Sequence, residues 1–436
     1  MKRAARLLLS LALILALSSS HAQAAGTRVI VRVTGGLPVI QSLCALLDCT
    51  VNYGLGDPDG QVFLITTSSP SPSIFLTTLS LEPGVVAVEL DLTGSILQST
   101  SPSAPPALTD TTPVPYYGTT VSDGYVNQPA SQIVRVADAQ RSFQVAGSGI
   151  VAVIDTGVDP NQPVLQPVLL PGYDFTRNRN GADETGDVQQ STADVVDGVG
   201  PTYVNASTMA VIDQSTADVV DTTSYSAFGH GTMVAGIVHL VAPRAWILPL
   251  KAFGPDGTGY TSDAIRAIYF AVRANAQVLN MSFSFATASP EFRNALQYAN
   301  RNNVIAVAAA GNDGQEVAVY PAAYAADVMG VASTSDADAR SSFSNYGQPQ
   351  VWVAAPGEWI VSTYPWGTYA ASSGTSFSAP FVAGAASLLL DVSASANQSA
   401  AAQAIAHAKF LSSDMGNGRL DLYQAVAAWR QALGLQ

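Results

Sequence analysis

The sequence predicts an α/β fold: a mostly parallel sheet with helices on both faces, preceded by a smaller α+β unit of split-βαβ pattern. Three observations carry this. After about Tyr125, apolar runs of strand length alternate with amphipathic stretches of helical spacing. Those runs are apolar at successive residues rather than at every second one, as in strands covered on both faces. Residues 98–124 are rich in Pro, Ser and Thr, and they separate a short α/β-patterned stretch from a long one.

The elements follow in order. Lys2, Arg3 and Arg6 precede an apolar run from Leu7 to Leu17, then Ser18 to Ser20 and Ala22-Gln23-Ala24. This is the pattern of a secretory signal peptide over residues 1–24, with cleavage expected after Ala24. The apolar run is short for a bilayer, so no stable membrane insertion is expected after cleavage, and the mature chain is expected to be secreted or periplasmic. Within residues 25–97, TRVIVRV alternates as a strand does, LPVIQSLCALL has helical spacing, QVFLITT reads as a strand, SIFLTTLSL as a helix and VVAVELD as a last strand. That order gives the split βαβ pattern. Cys44 and Cys49 are the two cysteines, and pairing them would need a helix to end between them. Beyond Cys49 no thiol is available as a nucleophile or as a zinc ligand.

Residues 98–124 read as a linker and residues 125–436 as the larger unit. Its strand candidates are GIVAVID (149–155), AWILPLKAF (245–253), AQVLNMSF (276–283), NVIAVAAAGN (303–312) and DVMGVAS (327–333). GTMVAGIVHL, TSDAIRAIYFAVRANA and PEFRNALQYANRNN supply helices between them. Sites in such folds lie at the carboxyl ends of the strands. An acidic segment, about 176–228, carries QSTADVVD twice, at 190–197 and 214–221. It reads as a solvated insertion with a duplication, a calcium site built from its Asp residues being the alternative. The chain is 48% hydrophobic, enough for a sizeable core, and its net charge of −13 leaves no basic stripe to neutralise nucleic-acid phosphates.

Four histidines are present. His21 falls in the signal segment, while His239 and His407 read as surface or helix-terminal residues. His230 differs: in FGHGTMVAG it has Gly on both sides and a helix after it, and those glycines would keep side chains from crowding its ring. Asp155 ends the apolar run AVID and precedes Thr-Gly. Ser376 stands in SSGTSFSAPFVAGAASLLL, where small residues run into a helical apolar pattern. Taken alone that stretch is equally an ordinary helix start, with Thr375 or Ser376 as N-cap and Pro380 in the first turn. A helix start also offers unpaired N–H groups to an oxyanion. A nucleophilic Ser needs a base, and the base needs a carboxylate to orient it.

VIDTGVD, GHGTMVAGIV and GTSFSAPFVAG, in that order, resemble the three signature blocks of the subtilisin-like serine peptidases. VAPRAWILPLKAF, LNMSFS, AAAGNDG and VAAPG support the likeness over about 125–430. The resemblance implies Ser376 as nucleophile, His230 as general base and then acid, Asp155 as its orienting partner, and Asn312 as an oxyanion donor. It implies a substrate cleft lined by Ser282, Phe283, Ser284, Gly311 and Asp313. No cofactor is implied. Polypeptides are the implied substrates, and residues 25–97 resemble the family's inhibitory propeptide, expected to be removed by self-cleavage between Asp91 and Asp123. VAGIVHLVAPRA leaves little room for the calcium loop of many members. In Phe283-Ser284-Phe285, side chains stand where the family often has glycines, which predicts a narrowed or reshaped specificity wall and a preference for small-to-medium apolar residues. Two other readings share the scaffold: a catalytically silent binding protein, and a hydrolase of a non-protein ester or amide.

Overall fold

The computed structural model describes residues 26–96, 105–187 and 226–435, together with three short strands between 193 and 219. The signal-peptide reading lies outside those residues. The chain divides into two units: residues up to 53 with 63–90, and residues 54–62 with 91 onward.

The first unit holds a four-stranded sheet in the order Cys49–Gly54, Val62–Thr67, Thr27–Val33, Val85–Leu90. Helices Leu37–Leu47 and Pro72–Ser80 accompany it. Val29, Val31 and Val33, on alternate positions of one strand, share a core with Ile40, Leu43, Phe63, Ile65, Phe75 and Leu79. The first helix does end between the cysteines, and Cys44 and Cys49 form a disulfide.

The second unit is built on an eight-stranded sheet. Its order is Arg179–Asn180, Tyr173–Asp174, Trp246–Lys251, Ile150–Asp155, Val278–Met281, Ile305–Ala309, Met329–Thr334, Val353–Pro356. From Tyr173–Asp174 to Val353–Pro356 every pairing is parallel; Arg179–Asn180 joins antiparallel at the edge. Trp246–Lys251 and Val278–Met281, both later in the chain, lie on opposite sides of Ile150–Asp155. The strand order therefore reverses there, and a crevice opens at the carboxyl end of that strand, where Asp155 sits. Helices Thr261–Arg273 and Pro290–Arg301 pack on each other, the second started by Ser289, whose side chain accepts from the Phe292 N–H, and by Pro290 in the first turn.

Helices His230–Val241 and Thr375–Val392 also pack against each other, and every residue from Thr375 to Leu390 is buried. The second is long and apolar enough to span a membrane, but here it is a core helix. Pro380 lies inside it, beyond the first turn, and Gly374 takes the N-cap position.

Residues 105–124 do not form the linker their composition suggests. Pro106–Thr109 is a helical turn, and Pro113–Tyr116 pairs with Thr119–Ser122 as a hairpin. Leu108, Tyr116 and Val121 join the main core, and the Tyr116 hydroxyl donates to the Leu240 carbonyl. Three apolar side chains among the prolines are enough to dock the segment. In the acidic insertion the two copies of the repeat meet: Ala193–Asp194 pairs antiparallel with Asp218–Val219. The rest of that insertion, including most of the Asp residues considered for calcium, lies outside the described residues.

Candidate active site

Asp155 ends its strand with no exposed surface, and its Oδ1 accepts from Nδ1 of His230 at 2.7 Å and from the Thr156 N–H at 2.7 Å. The ring nitrogen that faces Asp155 is thereby the protonated one, which leaves Nε2 as the basic nitrogen of the neutral ring. Nε2 is buried and has no hydrogen-bond partner among the described residues.

His230 opens helix His230–Val241. Its flanking glycines act on the seat of that helix rather than on the ring. Gly229 has φ 81°, and a Cβ there would lie 2.1 Å from the Tyr364 ring. A Cβ at Gly231 would lie 1.9 Å from the Gly157 carbonyl oxygen. Both contacts are closer than any side chain permits, so Gly229 lets the helix start sit against the Tyr364 ring and Gly231 lets it sit against the turn that follows Asp155. The helix runs on unbroken to Val241, and the next strand begins at Trp246.

Behind this pair lies a buried charged group that the sequence reading missed. Glu184 is fully buried. Its Oε2 accepts from the Thr156 hydroxyl at 2.8 Å and the Gly229 N–H at 3.1 Å; its Oε1 accepts from the Thr232 N–H at 3.1 Å and from the Thr232 hydroxyl. One carboxylate thus ties the residue after Asp155 to the residues either side of His230. Burial pushes the Glu184 carboxyl up to about 7, against the pull of the Thr232 and Thr156 hydrogen bonds and the Lys251 charge. Lys251, also buried, donates to the Thr156 carbonyl (2.6 Å), the Phe253 carbonyl (2.9 Å) and Asp187 (2.7 Å), and burial lowers its ammonium to about 8. A lone Glu in the polar run GADETGD gives no periodic signal; a Lys closing the apolar strand WILPLK was the available clue.

Ser376 is the second residue of helix Thr375–Val392. Its hydroxyl donates to the Ser282 carbonyl at 3.1 Å, and the Ser282 hydroxyl donates back to the Ser376 carbonyl at 2.8 Å. No Ser376–His230 hydrogen bond is formed among the described residues. The side-chain oxygen of Asn312 accepts from the Thr375 N–H at 2.9 Å and from its hydroxyl at 2.8 Å. That fixes the amide's orientation, with its NH2 turned away from Thr375.

The cleft residues divide. Ser284 presents its backbone as a strand edge and bridges Ser95. Phe283 is buried, with its ring 4.6 Å from that of Phe253 and also close to Phe285 and Phe292. It therefore props the wall from behind rather than lining it. Gly311 has φ 99°, and a Cβ there would meet the Asn345 amide at 2.4 Å. Asp313 is exposed and exchanges hydrogen bonds with Asn345, which accepts from its N–H and donates to its carboxylate, both at 2.9 Å. His239 is not a surface residue: it is buried near Tyr116, and burial lowers its imidazole to about 4, so it stays neutral. His407 is exposed. Among the described residues no cluster of His, Cys, Asp or Glu is arranged to hold a metal ion.

The profile of the subtilase family (peptidase class S8) matches residues 147–425. The chain belongs to the subtilase family. It is 33% identical over 302 residues to thermitase of Thermoactinomyces vulgaris, covering 66% of this chain and 92% of that protein. It is 34% identical over 290 residues to a thermophilic serine proteinase of Bacillus sp. strain AK1, covering 63% of this chain and 61% of that protein. It is 33% identical over 261 residues to the major intracellular serine protease of Bacillus subtilis strain 168, covering 56% and 69%. This subtilase is a serine endopeptidase, and its parallel sheet is the subtilisin fold.

Proposed function

We propose that this subtilase is made as an exported precursor and cleaves polypeptides through an acyl-enzyme, with Ser376 as nucleophile, His230 as base and Asp155 as the group that orients it. The carrying observation is the buried 2.7 Å contact between Asp155 and Nδ1 of His230, which turns an unpartnered, basic Nε2 to the other side of the ring. In the first step the Ser376 hydroxyl leaves the Ser282 carbonyl, gives its proton to Nε2, and its oxygen attacks the scissile carbonyl carbon. The tetrahedral oxyanion is met by the Asn312 amide and the N–H groups at the start of the Thr375–Val392 helix. His230 then passes the proton to the leaving amine as the C–N bond breaks. Water repeats the sequence on the acyl-enzyme, returning Ser376.

The substrate reading extends to the chain's own N-terminal unit, whose α/β pattern supports a propeptide that inhibits until it is removed. The test compares the mass of the purified precursor with that of its Ser376→Ala twin after identical incubation. The native chain should lose its N-terminal unit and the twin should not. If both stay intact and neither digests casein, the silent-scaffold reading takes over; hydrolysis of a simple ester without action on casein supports a non-protein substrate.

A further inference from the structure

Within the second unit, the segment Thr93–Ile96 lies in the cleft as an added strand. On one side Thr93–Ser95 pairs antiparallel with Thr258–Tyr260, Ser95 opposite Thr258 and Gly94 opposite Gly259. On the other side Ser95 exchanges both backbone hydrogen bonds with Ser284, at 3.0 and 3.1 Å. The Ile96 N–H donates to the Gly257 carbonyl at 2.9 Å. An extended chain held by its backbone between two protein strands is the way a peptide is recognised by strand addition, with specificity left to the side-chain positions.

Gly94 has no room for a side chain. A Cβ there would lie 2.5 Å from two ring carbons of Phe285 and 2.8 Å from the Ser284 carbonyl oxygen. Its φ is not in the left-handed region, so space and not backbone conformation requires glycine. The ring cannot step aside cheaply. Phe285 is 4% exposed and packs against Phe283 and Phe292, with centroids 5.7 and 5.8 Å away. Its backbone is tied to Tyr320 by hydrogen bonds of 2.7 and 2.9 Å.

The register relates this position to the scissile bond. In an antiparallel pair one strand advances as the other retreats. With Ser95 opposite Ser284, that register continued by two residues in a bound substrate reaches Ser282, whose carbonyl accepts the Ser376 hydroxyl. We propose that Phe285 closes one subsite of the cleft, so that this peptidase selects substrates with glycine three residues before the residue whose carbonyl is attacked. The inference rests on Ser376 being the nucleophile. In this chain the bond in that register is Leu97–Gln98, which lies outside the described residues.

Two measurements test it. The first is kcat/KM for fluorogenic peptides containing Gly-Ser-Ile-Leu-Gln-Ser and for analogues with Ala or Leu in place of the Gly. The native enzyme should lose about tenfold or more with Leu, as expected for overpacking a rigid wall. Phe285→Ala should narrow that ratio to near one, and Phe285→Leu, which keeps the apolar packing, should narrow it in part. The second is self-processing of the full chain: Gly94→Leu should slow it about tenfold or more, and adding Phe285→Ala should restore it. Equal cleavage of the Gly and Leu peptides, or a first-released end elsewhere than Gln98, overturns the subsite. If the native chain cleaves none of the peptides, does not digest casein and is not labelled at Ser376 by a phosphonofluoridate, the catalytic reading has failed, and the subsite falls with it.

Discussion

Two helices carry the proposed base and the proposed nucleophile in their first turn, and their amino ends are finished with different chemistry. The helix of His230 begins at a carboxyl group that is an anion above about pH 7: Glu184 accepts from the Gly229 and Thr232 N–H groups, and the Thr156 hydroxyl takes that of Gly231. The helix of Ser376 begins at a neutral group, the amide oxygen of Asn312 on the Thr375 N–H. Both ends carry the partial positive charge of a helix N-terminus. At His230 a carboxylate has already answered it, leaving negative charge beside the ring that becomes a cation in the proposed mechanism. At Ser376 it is left for the oxyanion of that same mechanism. The same structural feature thus serves charges of opposite sign, and the side chain placed against it decides which.

The largest effect should come from making the two ends alike. Asn312→Asp puts a carboxylate at the proposed oxyanion site, and kcat should fall beyond the loss for Asn312→Ala. The alanine variant itself should lose about 10²–10³-fold in kcat with little change in KM, the range known for removing an oxyanion donor in a related subtilisin. Steady-state kinetics on one peptide for both variants decides this. If Asp is tolerated better than Ala, the neutral finish at the Ser376 helix has no electrostatic meaning.

The reverse alteration is smaller. Glu184→Gln removes the charge at the His230 helix while keeping the shape, and kcat should fall about tenfold, the scale of a partly buried helix-terminus charge. Glu184→Ala adds a structural cost. It leaves the Gly229 and Thr232 N–H groups and the Thr232 hydroxyl without their acceptor, each worth about 1–3 kcal/mol when buried, while the Thr156 hydroxyl keeps Asp155. Thermal unfolding in the Ser376→Ala background, where self-digestion is blocked, should show a lower Tm for Ala than for Gln. Equal Tm values would mean that water enters and replaces the carboxylate.

The two ends were not equally legible in the sequence. Asp155, His230 and Ser376 stand at local features: a strand end, a glycine-flanked ring and a run of small residues into a helix. The Asp and Ser stretches alone read equally as a turn and a helix start, and it was the resemblance to the subtilisin-like peptidases that implied the roles of all three and of Asn312. Glu184 stands at no such feature, because its role depends on a fold-back of the chain that brings residue 184 against residues 156, 229 and 232, and a polar loop carries no periodicity to forecast that. The same limit explains the other differences. Proline-rich composition concealed the docking of Leu108, Tyr116 and Val121. The wall formed by Phe283-Ser284-Phe285 was visible as a departure, but only packing shows that Phe283 turns into the aromatic cluster while Phe285 faces Gly94.

The smallest expected effect is the pH dependence of stability that Glu184 and Lys251 give to the His230 end. The folded-state pKa of Glu184 is raised, from 4.5 to about 7. Between those values the native state keeps a proton that the unfolded chain has lost, so stability falls as pH rises from about 4.5 to about 7. The folded-state pKa of Lys251 is depressed, from 10.5 to about 8. There the unfolded chain holds a proton that the native state lacks, so stability rises again from about 8 to about 10.5. Between pH 7 and 8 both groups are charged and buried, and their joint contribution is at its minimum. Asp155, Lys251 and Tyr364 act on Glu184, and Asp155, Asp174, Asp187 and Arg177 act on Lys251. Buried His239, lowered to about 4, contributes the opposite slope up to about pH 6.5. The Tm difference between the Ser376→Ala chain and its Glu184→Gln derivative, in which that contribution cancels, should therefore fall from pH 5 to about 7. A difference that stays constant over that range would mean that the anion at the His230 helix is one that never takes up its proton in the working range.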